Sequence, residues 1–243
     1  MDITAGFLKN LAVFLMLLNH AGDCVLTRIM GIDSGFLYNF IWHATRASFV
    51  IFAFQIAEGM IKTHDRKAYI KRLGLLAIIS EIPYDLYFYR EWFNPCSNIF
   101  FTLFIGALGI HLIDAYTQNK AKQILTAVLC FIAASAVQSV YSFYGVMIIF
   151  AFYYLRDSKS KMFITVAFLL SFGYIADIDL LKNFSKNAAG ILKNAMMGLH
   201  GALAFPLIAL YKGNKGKMLN KWFYYFFYPA HLLILYFIMR FAL

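Results

Sequence analysis

Apolar runs long enough to cross a lipid bilayer recur along this chain, and their recurrence constrains the fold more than any motif does. About 17 to 25 mostly apolar residues suffice for a spanning helix. Such runs are read near 5–27, 36–61, 68–90, 98–117, 122–139, 142–155, 161–178, 188–211 and 222–242. In lipid every backbone polar group needs an internal partner, so these runs fold as helices. The expectation is an all-α protein: a polytopic integral membrane helical bundle of about nine transmembrane helices, in a single domain over 1–243. Segment 142–155 is the shortest and follows its neighbour closely, through Val140, Tyr141 and Ser142, so it also reads as a re-entrant or tilted piece. Composition agrees, because 62% of residues are hydrophobic and 14% charged, against roughly 45–50% and about 25% in soluble domains. A disordered, collagen-like or secreted chain is excluded. The first run has no basic leader and no small-residue cleavage pattern, so it reads as a retained span.

The net charge of +10 would raise nucleic acid as a partner in a soluble protein. Here the positive-inside rule accounts for most of it. Basic residues gather in alternate loops: Lys62, Arg66, Lys67, Lys71 and Arg72; Lys120 and Lys122; Arg156, Lys159 and Lys161; Lys212, Lys215, Lys217 and Lys221. The intervening loops hold Arg28, Arg90, Lys182 and Lys186, diluted by Asp23, Asp33, Glu91, Asp177 and Asp179. This alternation predicts a multi-pass protein of the cytoplasmic membrane with its N-terminus in the cytoplasm, contacting membrane lipid and no nucleic acid. Cys24, Cys96 and Cys130 form no CxxC and cannot all pair, so neither a metal knuckle nor a disulfide framework is indicated; a Cys24 to Cys96 bridge is conceivable.

Ionisable side chains inside spans are costly and mark either a functional site or a buried pair. His20 lies in the first span, about 22 Å above its cytoplasmic edge. Asp23 follows at i+3 on the same face, close enough to orient the imidazole. Arg46 lies within the second span and cannot lose its charge, so it requires an anionic partner. Glu81 and Asp85 are four apart in the third span, at much the same depth as His20 and Arg46, with Pro83 between them to break the helical ladder. A base, a fixed cation and carboxylates at one depth suit acyl or proton transfer. A purely structural pairing of Arg46 with Glu81 or Asp85 is the bland alternative. No GxSxG or HExxH is present, and no metal is expected. His111 and His200, isolated among apolar neighbours, read as packing residues, whereas His231 follows Pro229 inside the last span and is a further candidate. On the cytoplasmic side Glu58, Arg66, Lys71 and Arg72 flank one turn. That basic patch suits anionic headgroups, the phosphates of a nucleotide-linked donor, or simple topogenic charge.

Five ordered segments resemble the TraX family of conjugal-transfer proteins, a branch of the integral-membrane acyltransferase clan. They are LKNLAVFLMLLNHAGD at 8–23, RASFVIFAFQIAEGM at 46–60, YIKRLGLLAIISEIPYDL at 69–86, NIFFTLFIGALGI at 98–110, and YKGNKGK with FYYFFYPAHLLIL at 211–235. His20 falls on the signature histidine, Arg46 leads the second motif and Asn98 opens the fourth. Where the family commonly has an aspartate directly before the histidine, this chain has Asn19, with Asp23 as a substitute. The resemblance implies an acyl-CoA-dependent transferase. Acetyl-CoA is the default donor, and a peptide, glycan or lipid the acceptor. In that scheme His20 is the general base, Asp23 orients it, and Arg46, held by Glu81 or Asp85, stabilises the oxyanion. Glu58, Arg66, Lys71 and Arg72 would receive the donor. Two other classes use the same residue types: a proton-coupled transporter or flippase, and a non-catalytic membrane subunit of a secretion or conjugation system.

Overall fold

The structure is a computed structural model that describes residues 3–175 and 188–242. Among these residues it is all helical, with one isolated backbone bridge from Ile3 to Tyr211 and no strand. The helices are α1 (Ala5–Gly22), continued by a π-helical stretch Asp23–Ile29, then α2 (Phe36–Ala44), α3 (Ala47–Lys62), α4 (Arg66–Phe88), α5 (Ile99–Ala115), α6 (Lys120–Ala136), α7 (Ser142–Tyr154) and α8 (Lys159–Ile175). After the undescribed stretch come α9 (Ala188–Leu199), a 3-10 turn (His200–Ala204), α10 (Phe205–Leu210) and α11 (Lys221–Ala242). Lys182, Lys186, Asp177 and Asp179, read above as loop charges, lie outside the described residues.

Starts are set locally. The side chains of Thr4, Asp65, Asn98 and Asn119 each accept a backbone N–H of the turn that follows, capping α1, α4, α5 and α6. Among the described residues, three helical stretches are long and apolar enough to cross a membrane: Ala5–Ile29, Phe36–Lys62 and Lys221–Ala242. The second is interrupted at Thr45, whose hydroxyl donates to the Ile41 carbonyl at 2.7 Å. Such back-bonding competes with the helical ladder and bends the chain, and it separates α2 from α3. Pro83 has the opposite outcome to the one expected. Helix α4 runs through it to Phe88 unbroken, losing one ladder bond without opening a gap.

Packing explains the short segment at 142–155. Helix α7 is enclosed by α3, α5, α6 and α8, and Val146, Ile148, Ile149 and Phe152 are fully buried. At about 1.5 Å per residue its 13 residues reach roughly 20 Å, so it is a core helix. One large cluster of buried residues centres on α3, α5 and α7; a smaller one joins Met16, Tyr84, Tyr87, Tyr228, Leu232 and Leu235 from α1, α4 and α11. Phe52, Ile99 and Phe100 pack against both. The outer faces are apolar as well: Ile78, Ile79 and Ile82 of α4 and Ile124, Val128 and Ile132 of α6 are exposed. An exposed apolar stripe of this kind marks a surface that is not meant for water. Cys24, Cys96 and Cys130 are all free thiols, so the conceivable Cys24 to Cys96 bridge is absent.

Candidate functional site

A cavity of ≈ 310 Å³ opens along the seam between the two clusters, bordered by α1, α2, α3, α4 and α11. Its volume falls in the range of small-molecule sites. His20, Arg46 and Asp23 line it, as their depths implied, together with Asn19, Arg28 and Trp42. Phe88 meets the His20 ring edge-on at 5.6 Å, and Tyr228 does so at 6.3 Å.

The His20 ring is held by a second histidine. His20 Nδ1 lies 2.8 Å from His231 Nε2, and the ring planes are within 3° of parallel. The proton positions follow from the outer end of the chain. His231 Nδ1 is 2.8 Å from the Phe227 carbonyl oxygen, which can only accept, so this nitrogen carries the proton. In the neutral ring Nε2 is then an acceptor, so His20 Nδ1 is the donor. The remaining nitrogen of His20, Nε2, has a free lone pair and makes no hydrogen bond among the described residues. That is the tautomer a general base requires, fixed from behind by a neighbour that fixes its own proton on backbone.

Asp23 does not fill that position. Its carboxylate accepts the Arg28 Nε–H at 2.7 Å and lies 3.0 Å from the Tyr87 hydroxyl, which also sits 2.7 Å from the His20 carbonyl. Arg28 in turn donates to the Tyr87 carbonyl at 2.9 Å. A separation of five residues brings two side chains together in a π-helical turn, and Asp23–Ile29 is such a turn. The group against the His20 ring nitrogen is thus His231 and not Asp23, which instead ties the end of the first helix to α4.

Arg46 sits at the start of α3, at the break after α2, with its guanidinium 4.0 Å from the Trp42 ring centroid. No ion pair among the described residues joins it to Glu81 or Asp85. Glu81 Oε2 accepts the Asn98 backbone N–H at 3.1 Å and its side-chain amide as well, while Asp85 accepts the Asn94 backbone N–H at 3.1 Å. Both carboxylates thus fasten the turn that leads into α5. Asn98, carried by the resemblance alone, is fully buried and bonded to Glu81, Ala77 and Phe100. Asn19, at the family's aspartate position, donates its side-chain N–H to the Thr45 hydroxyl at 2.7 Å and so ties α1 to the helix break beside Arg46.

The residues of the basic patch separate into two groups. Glu58 pairs with Lys62 at 2.9 Å and accepts the Tyr211 hydroxyl at 3.0 Å; Lys62 also donates to Tyr211 and to the Gly213 carbonyl. Arg66 is locked to Asp114 at 2.7 Å and to the Tyr153 hydroxyl at 2.8 Å. Lys71 and Arg72 stay exposed on α4. His200 was expected to stand isolated among apolar neighbours, but its ring stacks 3.9 Å from that of His43 and its Nδ1 lies 3.0 Å from the Met197 carbonyl oxygen. No group of three or more potential metal ligands occurs among the described residues.

Sequence reasoning missed Arg28 and Lys62 as partners. Arg28 fell beyond the end of the hydropathy window, although an acid five residues before it is the signal a π-turn would leave. Comparison with curated proteins finds no match, and comparison with solved structures finds none either. The family model described as "TraX protein" matches residues 5–239, nearly the whole chain, and the protein therefore belongs to the TraX family.

Proposed function

We propose that this protein is a multi-pass acyltransferase of the cytoplasmic membrane, moving an acyl group, acetyl by default, from an acyl-CoA to an amine or hydroxyl of a peptide, glycan or lipid acceptor. The observation that carries the reading is the His20–His231 pair, which leaves His20 Nε2 as a free base in a residue that lines one cavity with Arg46. His20 Nε2 removes the proton from the acceptor as its nitrogen or oxygen attacks the thioester carbonyl. Arg46 stabilises the oxyanion of the tetrahedral intermediate. Collapse breaks the carbon–sulfur bond, and the departing thiolate takes the proton back from His20, so the acylated acceptor and free CoA leave with the base regenerated. His231 holds the imidazole in its reactive tautomer throughout.

The membrane reading draws support from the three long apolar helices, the exposed apolar faces of α4 and α6, and the family. We infer a bundle of about nine membrane segments with its N-terminus in the cytoplasm. Helix α7 would be the member that does not reach across alone. The conjugal-transfer association of the family suggests a peptide acceptor such as a pilin N-terminus. A scaffold reading gives no reason for the His20–His231 geometry; a proton-coupled transporter uses the same proton-free nitrogen, and the CoA-release assay separates it from the transferase.

The deciding experiment is release of free CoA from acetyl-CoA by the purified protein in detergent, with membrane extract as acceptor pool. Release by wild type and none by His20→Ala is the expected result. Equal rates for the two would overturn the role of His20, and no release from any acyl donor by a folded protein would overturn the transferase.

A further inference from the structure

A second chamber, of ≈ 130 Å³, adjoins the first and shares Met16, Phe52 and Tyr228 with it as walls. It lies toward the end of the bundle where α1, α4 and α11 begin. Lys9, Tyr69, Tyr224 and Gln55 border it there, and Val13, Leu73, Leu76 and Leu103 line the rest. Lys9, Val13, Met16 and His20 share one face of α1, since a residue eleven positions on returns to the same side after three turns. One stripe of side chains thus runs from the lower chamber to the base.

Lys9 is out of place in this apolar setting. Its ammonium sits 3.9 Å from the Tyr224 ring centroid, and no carboxylate among the described residues pairs with it. A half-buried cation without an anion is costly, and an anionic ligand group placed beside it relieves that cost. The distance selects the ligand. Eleven residues of helix separate Lys9 from His20, or about 16 Å. A phosphopantetheine arm has roughly 13 bonds between phosphorus and sulfur, and at the reach of an extended chain, about 1.2 Å per bond, spans about 16 Å.

We propose that the lower chamber binds the phosphopantetheine arm of the acyl donor, with Lys9 holding its phosphate and the thioester delivered past Met16, Phe52 and Tyr228 to His20. This rests on the acyl-transfer reading and moves the donor's path from Arg66, which Asp114 and Tyr153 occupy, to the opening beside α1 and α11. Lys9 lies about one turn inside the start of α1, so whatever carries the arm stays outside, against the loop 211–221. Both coenzyme A and an acyl carrier protein present this arm.

The test is titration of the full-length protein in detergent with 4′-phosphopantetheine and with pantetheine, which lacks the phosphate. Phosphopantetheine is expected to bind about tenfold or more tightly. Lys9→Met should reduce it to the level of pantetheine, and Lys9→Arg should restore part of the difference. Equal affinity for the two compounds, or no effect of Lys9→Met, overturns the proposal. If Lys9→Met does not fold, Val13→Cys decides the same question by thiol labelling against the wild-type background: protection by phosphopantetheine and not by pantetheine supports the site, and no protection by either overturns it. CoA and a holo acyl carrier protein, run as competitors, identify the source of the arm by whichever displaces phosphopantetheine at lower concentration. Lys9-dependent binding without CoA release in the transfer assay would sustain the site and overturn the transferase. A working transferase whose donor KM is unchanged by Lys9→Met would do the reverse.

Discussion

Arg28 reaches the Asp23 carboxylate at 2.7 Å across a π-helical turn, and the same guanidinium donates to the Tyr87 carbonyl of α4. One ion pair therefore decides how the first helix ends and where it meets the fourth. Both groups are partly buried, so removing either leaves the other without its counter-charge. Arg28→Met or Asp23→Leu should each cost about 2 kcal/mol. The double variant should lose less than the sum of the two, because no charge is then stranded. Thermal melting in detergent measures all three; strictly additive losses would mean that the pair is not coupled.

His231 acts through His20 and touches no substrate in the proposed reaction, so it is a positioning residue. His231→Phe should lower kcat by about 10² to 10⁴, with donor KM little changed, since Lys9 and the lower chamber are untouched. A fall in both parameters together with a lower melting temperature would indicate packing as its main role. Steady-state CoA release against donor concentration separates these outcomes.

Asn98 caps α5 and binds Glu81 at once. Asn98→Ala should therefore cost more than a surface cap, about 2 to 3 kcal/mol, because the half-buried Glu81 carboxylate loses its side-chain donor as well, keeping only the backbone N–H of residue 98. Asn98→Asp keeps the cap but sets a second carboxylate against Glu81. Its melting temperature should therefore also fall below that of wild type, and an unchanged value would mean that the two side chains do not face each other.

Orientation has its own test. His64 and Phe93 are both exposed, at opposite ends of α4. In a Cys96→Ser background, His64→Cys should resist an impermeant thiol reagent in intact cells and Phe93→Cys should react. The opposite pattern would invert the proposed topology.

Gly6 lies under the loop that follows α10, and a Cβ there would meet the Lys217 carbonyl oxygen at 2.0 Å. Gly6→Ala must therefore displace backbone and not merely a side chain. Faster proteolysis within 212–220 is expected, with the melting temperature lowered; unchanged cleavage would mean that the loop is not seated on α1.

Most helical segments were legible in sequence because a hydropathy window reports a local property, whereas the breaks inside the runs at 36–61 and 188–211 were not. His20 and Arg46 shared a depth on paper and share a cavity in the fold. Their partners were not legible. His231 meets His20 only because α11 packs beside α1 and α4, a contact between segments almost a whole chain apart, which no period reveals. Glu81 and Asp85 had the charge to pair with Arg46, yet Asn98 and the Asn94 backbone offered donors closer in space. Asp23 misled through its spacing, since i+3 implies an α-helical neighbour and the helix changes winding at that residue.

The backbone N–H groups of Ala5 and Gly6 donate to the carbonyls of Asn214 and Lys215 at 2.8 and 2.9 Å. In biosynthetic order, α1 is made long before the segment that satisfies its opening turn. Until that segment arrives, those donors have water or lipid headgroups for company, and the chamber beside Lys9 lacks its wall from α11. Assembly of the donor path is thereby coupled to near-completion of the chain, and a nascent protein stalled before residue 211 would carry His20 without the means to load it.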